Sequence, residues 1–326
     1  LLAHRELCEL AAIVDANQDT VARVAHDFRI SNVSTDVGTI FDDSTIDAVV
    51  IASSTETHAP YILEAARTGT AAFTEKPIAL DLAATESALQ AVQSSGVQLQ
   101  VGFQRRFDHG YAKVHDRIAA GDLGHIEMIR DAMRDPAPPP PAYLEKSGGL
   151  YRDMTIHNFD CVRWLKGEDP VSLHAIGSAI ASEDVRAAGD IDTSVVTMQF
   201  ADSSIATIEN SRRSGFGYDV RTEVFGSLCA IMVGDSRETP TRRFDTHGVH
   251  EDHQYFFLDR FAKAYETEML AFIGAVSNET DVSVTGEDGR AAMVLAYAAE
   301  ASLHTGQPVR IRDIATQIMQ RTPVRA

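Results

Sequence analysis

The chain predicts an α/β module with a doubly wound parallel sheet, followed by a second part built on an antiparallel sheet. Two observations carry this. Up to residue 101, short apolar runs alternate with amphipathic helix patterns, whereas from residue 171 to residue 233 strand-like segments follow one another without helices. At 326 residues the chain is long enough for two such parts, each with its own core.

In order, Leu10 to Val14 is an apolar run ending at Asp15, and a helix pattern covers Asn17 to Asp27. Ile46 to Ala52 is the next strand, His58 to Thr68 an amphipathic helix closed by Gly69, and Ala71 to Thr74 a strand running into Glu75-Lys76-Pro77. Asp81 to Ser94 is a helix closed by Gly96, and Val97 to Val101 the following strand. Gly102 to Asp108, basic and aromatic, reads as a hinge dividing the chain into 1–105 and 106–326. A helix then covers 111 to 120, and Pro136 to Pro141 forms a stiff, proline-dense loop. A helix pattern runs from Gly148-Gly149 to Leu165. Val171 to Ile180, Thr193 to Phe200, Ser204 to Ser211 and Val220 to Val233 are the strands of the second part. Two helices, Tyr255 to Val276 and Glu287 to His304, follow them.

Composition excludes several partners. With 29 Lys and Arg against 47 Asp and Glu, the net charge of −18 disfavours nucleic acid and anionic membrane surfaces, which need clustered cations. No run approaches the roughly 20 apolar residues that span a bilayer. The opening residues lack the basic flank and apolar stretch of a signal peptide. Three cysteines without CxxC spacing point to reduced thiols and a cytoplasmic protein.

Two stretches carry chemistry. Lys76 follows a buried-strand pattern and precedes Pro77, which places an ammonium at the carboxyl end of a strand, where open α/β sheets hold their ligands. Asp15 ends an earlier strand; a carboxylate there can bind both adenosine ribose hydroxyls and repel a 2′-phosphate, favouring NAD over NADP, although it can equally cap the next helix. The polar loop Ser53-Ser54-Thr55-Glu56-Thr57 suits phosphate, ribose or nicotinamide contacts, and also suits an ordinary helix start. In the second stretch, Asp153, His157 and Asp160 fall at i, i+4 and i+7 and therefore on one helical face. Apolar Met154, Ile156, Phe159 and Val162 embed that helix. A carboxylate beside an imidazole orients it as a base, or merely links helix to sheet. Asp-x3-His supplies too few ligands for a metal without help from elsewhere, and His247, His250 and His253, spaced three apart in a Gly- and Asp-containing loop, raise the same question.

A glycine-rich GxGxxG turn is the usual opening of a dinucleotide site. Here the N-terminal strand and that turn are missing, and Leu1-Leu2-Ala3-His4-Arg5 reads as the second half of the helix that would follow them. Either the sequence begins downstream of the turn or the protein has lost part of its cofactor site.

Glu75-Lys76-Pro77 after a strand, with Gly148-Gly149, Asp153-x3-His157-x2-Asp160 and Arg163-Trp164-Leu165, resembles the Gfo/Idh/MocA family of NAD(P)-dependent oxidoreductases, and within it the inositol 2-dehydrogenases. Val101 to Asp108, Arg134-Asp135-Pro136 and Tyr255 to Phe261 support the resemblance, which covers nearly the whole chain. It implies a Rossmann domain followed by an α+β domain with a large, mostly antiparallel, open-faced sheet through which homodimers or homotetramers form. It implies NAD as cofactor, no metal, and inositol catabolism, with myo-inositol oxidised to 2-keto-myo-inositol (scyllo-inosose). Another sugar or inositol isomer, or a catalytically silent dinucleotide- or sugar-sensing protein, are the alternatives. Carried over by position, Lys76, Asp153 and His157 are catalytic. Asp15, Ser53, Ser54, Thr55, His58, Glu75 and Lys76 contact the cofactor. Lys76, Asp153, His157, Asp160 and Tyr218 contact a polyol substrate.

Overall fold

The computed structural model describes residues 1–234, 237–314 and 316. Contacts gather the chain into two units: Leu1–Gly102 with Thr267–Arg290, and Phe103–Glu266 with the described residues from Ala291 on. The sequence-based division at 105/106 did not include the return of 267–290 to the first unit. Helix periodicity reports a buried stripe but not which core it serves.

Residues 1–12 contain turns and no helix, unlike the half-helix expected at Leu1 to Arg5. Leu7 and Cys8 both donate to the His4 carbonyl, closing a turn that goes no further. Strand β1 (Ile13–Val14) leads to helix α1 (Gln18–Phe28), whose cap Asn17 accepts from the amides of Asp19 and Thr20, and then to β2 (Val33–Ser34), which pairs in parallel with β1. After the short α2 (Gly38–Phe41) come β3 (Ala48–Ile51), α3 (Thr55–Thr68), β4 (Ala71–Glu75), α4 (Leu82–Ser95) and β5 (Leu99–Gly102). Strands β3, β4 and β5 form a parallel sheet in that order, as βαβ connections require. Gly69 closes α3 at φ 79°, a left-handed conformation that residues with a Cβ resist. Ile62 and Ala65 of α3 are fully buried, and Phe73 of β4 packs against Phe272 of the returning segment with ring centroids 5.9 Å apart.

The second unit begins with a 3₁₀ turn (Gln104–Phe107) and α5 (His109–Ala119), capped by the Asp108 carboxylate. Strand β6 (Ile126–Arg134) precedes α6 (Pro141–Ser147), which grows out of the proline run because proline is tolerated in a first helical turn. The helix expected from Gly149 to Leu165 is divided: Tyr151–Thr155 is a π-turn, and α7 (Ile156–Lys166) continues from it. Then come β7 (Ser172–Ser178), α8 (Glu183–Ala187), β8 (Thr193–Gln199), β9 (Ile205–Ser211), β10 (Asp219–Gly226) and β11 (Ala230–Val233). The hairpin β12 (Arg242–Asp245) and β13 (Gly248–Glu251), helices α9 (Phe257–Asn278) and α10 (Gly286–Thr305), and β14 (Val309–Arg310) follow.

Helix α8 interrupts strands expected to follow one another directly, and the single strand expected over Val220 to Val233 is two strands with a turn between them. The seven-stranded sheet has the order β11-β10-β6-β9-β8-β7-β14. Every pairing is antiparallel except β6 with β9, so the sheet is mixed. That parallel contact needs a long crossover, and the crossover contains α7. Ile156, Phe159 and Val162 of α7 are completely buried, each side chain stabilising the unit by about 1.5–3 kcal/mol. Among the described residues no helix is long and apolar enough to cross a membrane.

Candidate active site

In the first unit, the polar groups singled out in the sequence stand where strands end. Asp15 follows β1, and one of its carboxylate oxygens accepts from Asn17 N at 2.8 Å. Asn17, not Asp15, caps the helix. Ser53 and Ser54 follow β3 and are exposed beside the first turn of α3, where amide donors and the helix dipole favour an anion. Ser53 Oγ lies 2.6 Å from Thr57 Oγ1. Lys76 follows β4 directly and is partly buried.

His58 behaves differently from the direct cofactor contact expected of it. It is 2% exposed, with Nδ1 2.8 Å from the Pro77 carbonyl and Nε2 3.0 Å from the Ser53 carbonyl. With both ring nitrogens so engaged, the imidazole is a strut joining the loop after β3 to the turn after β4. Glu75 is beside it. Burial pushes the Glu75 carboxyl up, and the charges of Lys76 and His58 work against that rise. Gly102 faces Glu75 across the β4–β5 pairing, and a Cβ there would stand 3.1 Å from Glu75 Oε2.

In the second unit, Asp153 occupies the π-turn and His157 the first turn of α7. Tyr143 Oη donates to Asp153 Oδ1 at 2.7 Å, and Arg212 Nη1 donates to Oδ2 at 3.0 Å. The His157 ring is set edge-on to the buried Phe103, with centroids 6.1 Å apart. Asp160 was expected at substrate. It is 1% exposed, and Arg106 takes both its oxygens, Nε to Oδ2 at 2.9 Å and Nη2 to Oδ1 at 2.5 Å. Its carboxylate is committed to the 3₁₀ turn that opens the unit. Tyr218 is also buried, its ring edge-packed against Phe257 and Phe261. Burial raises its phenol pKa, opposed by Arg105. It lines a cavity of about 150 Å³ with Phe216, Arg221, His253 and Arg260. His250 lies 3.3 Å from Asp245, and His253 contacts the Tyr218 carbonyl at 2.9 Å. Among the described residues no three His, Cys, Asp or Glu side chains are grouped to hold a metal.

A buried polar network supports α7 from below. Asp131 of β6 accepts from Asn158 Nδ2 at 2.8 Å, Thr222 Oγ1 at 2.7 Å and Arg105 Nη1 at 3.2 Å, and Asn210 donates onward to Asn158 Oδ1 at 2.9 Å. Burial raises the Asp131 carboxyl, and Arg105 is the principal opposing influence. Sequence reasoning missed this group although a signal was present: Asp131 has the inward parity of Ile129 and Met133 on β6. A carboxylate at a core position of a strand is expensive without partners.

Residues 1–103 match the family model described as an oxidoreductase family with an NAD-binding Rossmann fold, and residues 111–232 match the GFO/IDH/MocA C-terminal domain. The chain belongs to the GFO/IDH/MocA oxidoreductase family. A myo-inositol 2-dehydrogenase of Thermotoga maritima is 36% identical over 94% of this chain and 92% of its own. An inositol 2-dehydrogenase of Rhizobium meliloti is 40% identical over 82% of this chain and 81% of its own. The crystal structure of scyllo-inositol dehydrogenase from Lactobacillus casei with bound NAD(H) and scyllo-inositol superposes with a TM-score of 0.87 at 28% identity, covering 93% of this chain and 92% of that one.

As in the family, the first unit is an NAD-binding Rossmann fold. The donor set fits the cofactor. A half-buried carboxylate follows β1, where a ribose diol is held in such folds, and exposed hydroxyls stand beside an open helix N-terminus after β3.

Proposed function

We propose that this family member oxidises a secondary ring hydroxyl of a cyclic polyol, myo-inositol to 2-keto-myo-inositol, with NAD. The observation that carries this reading is the presence of Lys76, Asp153 and His157 in a chain whose relatives at 36% and 40% identity are named as inositol dehydrogenases. NAD, when bound, accepts the hydride from the carbinol carbon. His157 takes the hydroxyl proton, and Asp153 favours the resulting imidazolium. Lys76 donates a hydrogen bond to the reacting oxygen and favours the negative charge that grows there. Asp15, Ser53, Ser54, Thr55 and Glu75 bind or shape the cofactor site, with His58 bracing its loop. Asp160 acts on substrate through Arg106, and Tyr218 forms part of a polyol wall.

The test is steady-state NADH formation with myo-inositol. His157→Ala is expected to lose about 10²–10⁴ in kcat, the range of a general base. Lys76→Ala is expected to lose about 10²–10³, as for one charge-stabilising donor. Unchanged turnover in either variant removes the role assigned to it.

A second reading keeps the reaction and changes the isomer or sugar, and it is favoured by the L. casei relative, whose name and bound ligand specify scyllo-inositol. A polyol panel separates the two, because a site matched to a hydroxyl rejects analogues that lack it. The assembly we propose is a homodimer or homotetramer formed through the open face of the seven-stranded sheet. Cytoplasmic placement accords with three free cysteines, of which Cys229 is exposed.

A further inference from the structure

Asp153 is held from two sides by side chains that lie outside its own helix. The guanidinium of Arg212 is 1% exposed, and its Nη2 lies 3.8 Å from Asp190 Oδ2 while Nη1 binds Asp153. Asp190 Oδ1 in turn accepts from Leu150 N at 3.1 Å. One buried cation is thus hydrogen-bonded to Asp153 and within ion-pair range of Asp190, which offsets part of the cost of desolvating it. Tyr143 has no such need. It is 49% exposed, so water could serve its hydroxyl as well as a carboxylate does, yet Oη is directed onto Asp153 Oδ1 at 2.7 Å. The consequence of that bond therefore falls on Asp153.

We propose that Tyr143 is a positioning residue of this active site, its hydroxyl orienting Asp153 and drawing off part of the charge that Asp153 presents to His157. This rests on the reading of His157 as the base. A hydrogen bond to a carboxylate stabilises the anion and weakens its pull on a neighbouring imidazolium. Removing the donor leaves a more basic carboxylate, so the imidazole holds its proton to higher pH. Among the described residues, Arg212 touches Asp153 and reaches Asp190 on its other side; Asp135 acts on Tyr143 itself, and Asp160, further along α7 from His157, is paired with Arg106. Phe103, against the His157 ring, carries no charge. Burial and Asp153 push the Tyr143 phenol well above its usual range, which keeps it a donor at working pH.

Tyr143→Phe removes the hydroxyl and keeps the ring. In protein with 13C-labelled histidine rings, the His157 resonance, assigned by its loss in His157→Asn, is expected to titrate about half a pH unit to one unit higher in Tyr143→Phe. The acidic limb of the kcat profile with NAD and myo-inositol moves by the same amount. At neutral pH kcat falls about threefold to tenfold, the worth of one hydrogen bond, while KM and the urea midpoint stay unchanged. An unmoved His157 titration in Tyr143→Phe overturns the inference, whatever the turnover. A wild type that oxidises no cyclic polyol while the titration still shifts supports the Tyr143–Asp153 link and overturns only the dehydrogenase reading.

Discussion

Tyr143 and Arg212, donors of unlike kind, both hold Asp153, and their removal should differ in kind as well. Arg212 is buried and within ion-pair range of both Asp153 and Asp190, so Arg212→Met deprives both carboxylates of that cation. Breaking a buried pair from one side costs about 3–5 kcal/mol, and a fall of that size in the unfolding free energy from urea titration is expected, with partial recovery in Arg212→Lys. A wild-type-like urea midpoint for Arg212→Met would refute the shared-cation arrangement. The residues that bear the proposed chemistry were legible in the sequence because their signals are local: Lys76 lies between a strand pattern and a proline, and Asp153 and His157 share one stretch of helix. Tyr143 and Arg212 were not legible. Arg212 is 59 positions from the carboxylate it binds, and Tyr143 lies within a proline-rich stretch that reads as a loop. His58 shows the converse limit, since a polar residue near a helix start reads alike whether it faces a ligand or, as here, braces two loops from the interior.

The elements themselves were readable where periodicity is strong. The parallel strands β3 to β5 and the antiparallel β7 to β9 stand close to their predicted positions, because alternation and glycine stops are written locally. The π-turn at Tyr151–Thr155 was not readable, since a single widened turn leaves the apolar pattern nearly intact. The short α8, capped by Ser182, was missed for a related reason: the segment that leads into it is held by a carboxylate that comes after it in the chain. Asp192 Oδ1 accepts from Ile180 N at 3.0 Å, and Oδ2 accepts from Ala181 N at 2.8 Å and Ser182 N at 2.9 Å. Burial raises the Asp192 carboxyl, and these amides with the Thr193 hydroxyl outweigh burial, so its pKa is held below the ordinary 3.8. The folded state therefore binds this proton less readily than the unfolded state. The stabilisation is present above the unfolded value and lost as pH falls through the folded one. Asp192→Ala should cost about 1–3 kcal/mol at neutral pH, for stranded backbone donors. In urea melts that difference should narrow below pH 3.8; a gap independent of pH would refute the assignment.

At the scale of the whole molecule, the face of the seven-stranded sheet opposite its buried side chains carries exposed apolar groups among the described residues of the second unit. On β7 and β8, Leu173, Ala175, Val196 and Met198 point inward and are buried, while Ile176 and Val195, at 66% and 45% exposure, point outward and are paired across the strands. Phe225 of β10 and Met232 of β11 are exposed as well, at 47% and 70%. Between them lie charged residues of both signs, including Arg130 opposite Glu223 and Glu209 opposite Val195. Apolar groups set among paired charges suit a second copy of the same face better than an arbitrary partner, because a two-fold contact lets each patch meet its own complement. With a net charge of −18, two chains would repel at long range unless the meeting surfaces were locally neutral. The double variant Ile176→Lys/Val195→Lys is therefore expected to shift the species seen by light scattering from dimer or tetramer to monomer. Substitution at exposed strand positions changes the fold's own stability by only about 0.5 kcal/mol, so circular dichroism should be unaltered. Wild-type protein that runs as a monomer, or a double variant that remains assembled, would remove this face from the interface and leave its apolar side chains to be explained by another partner.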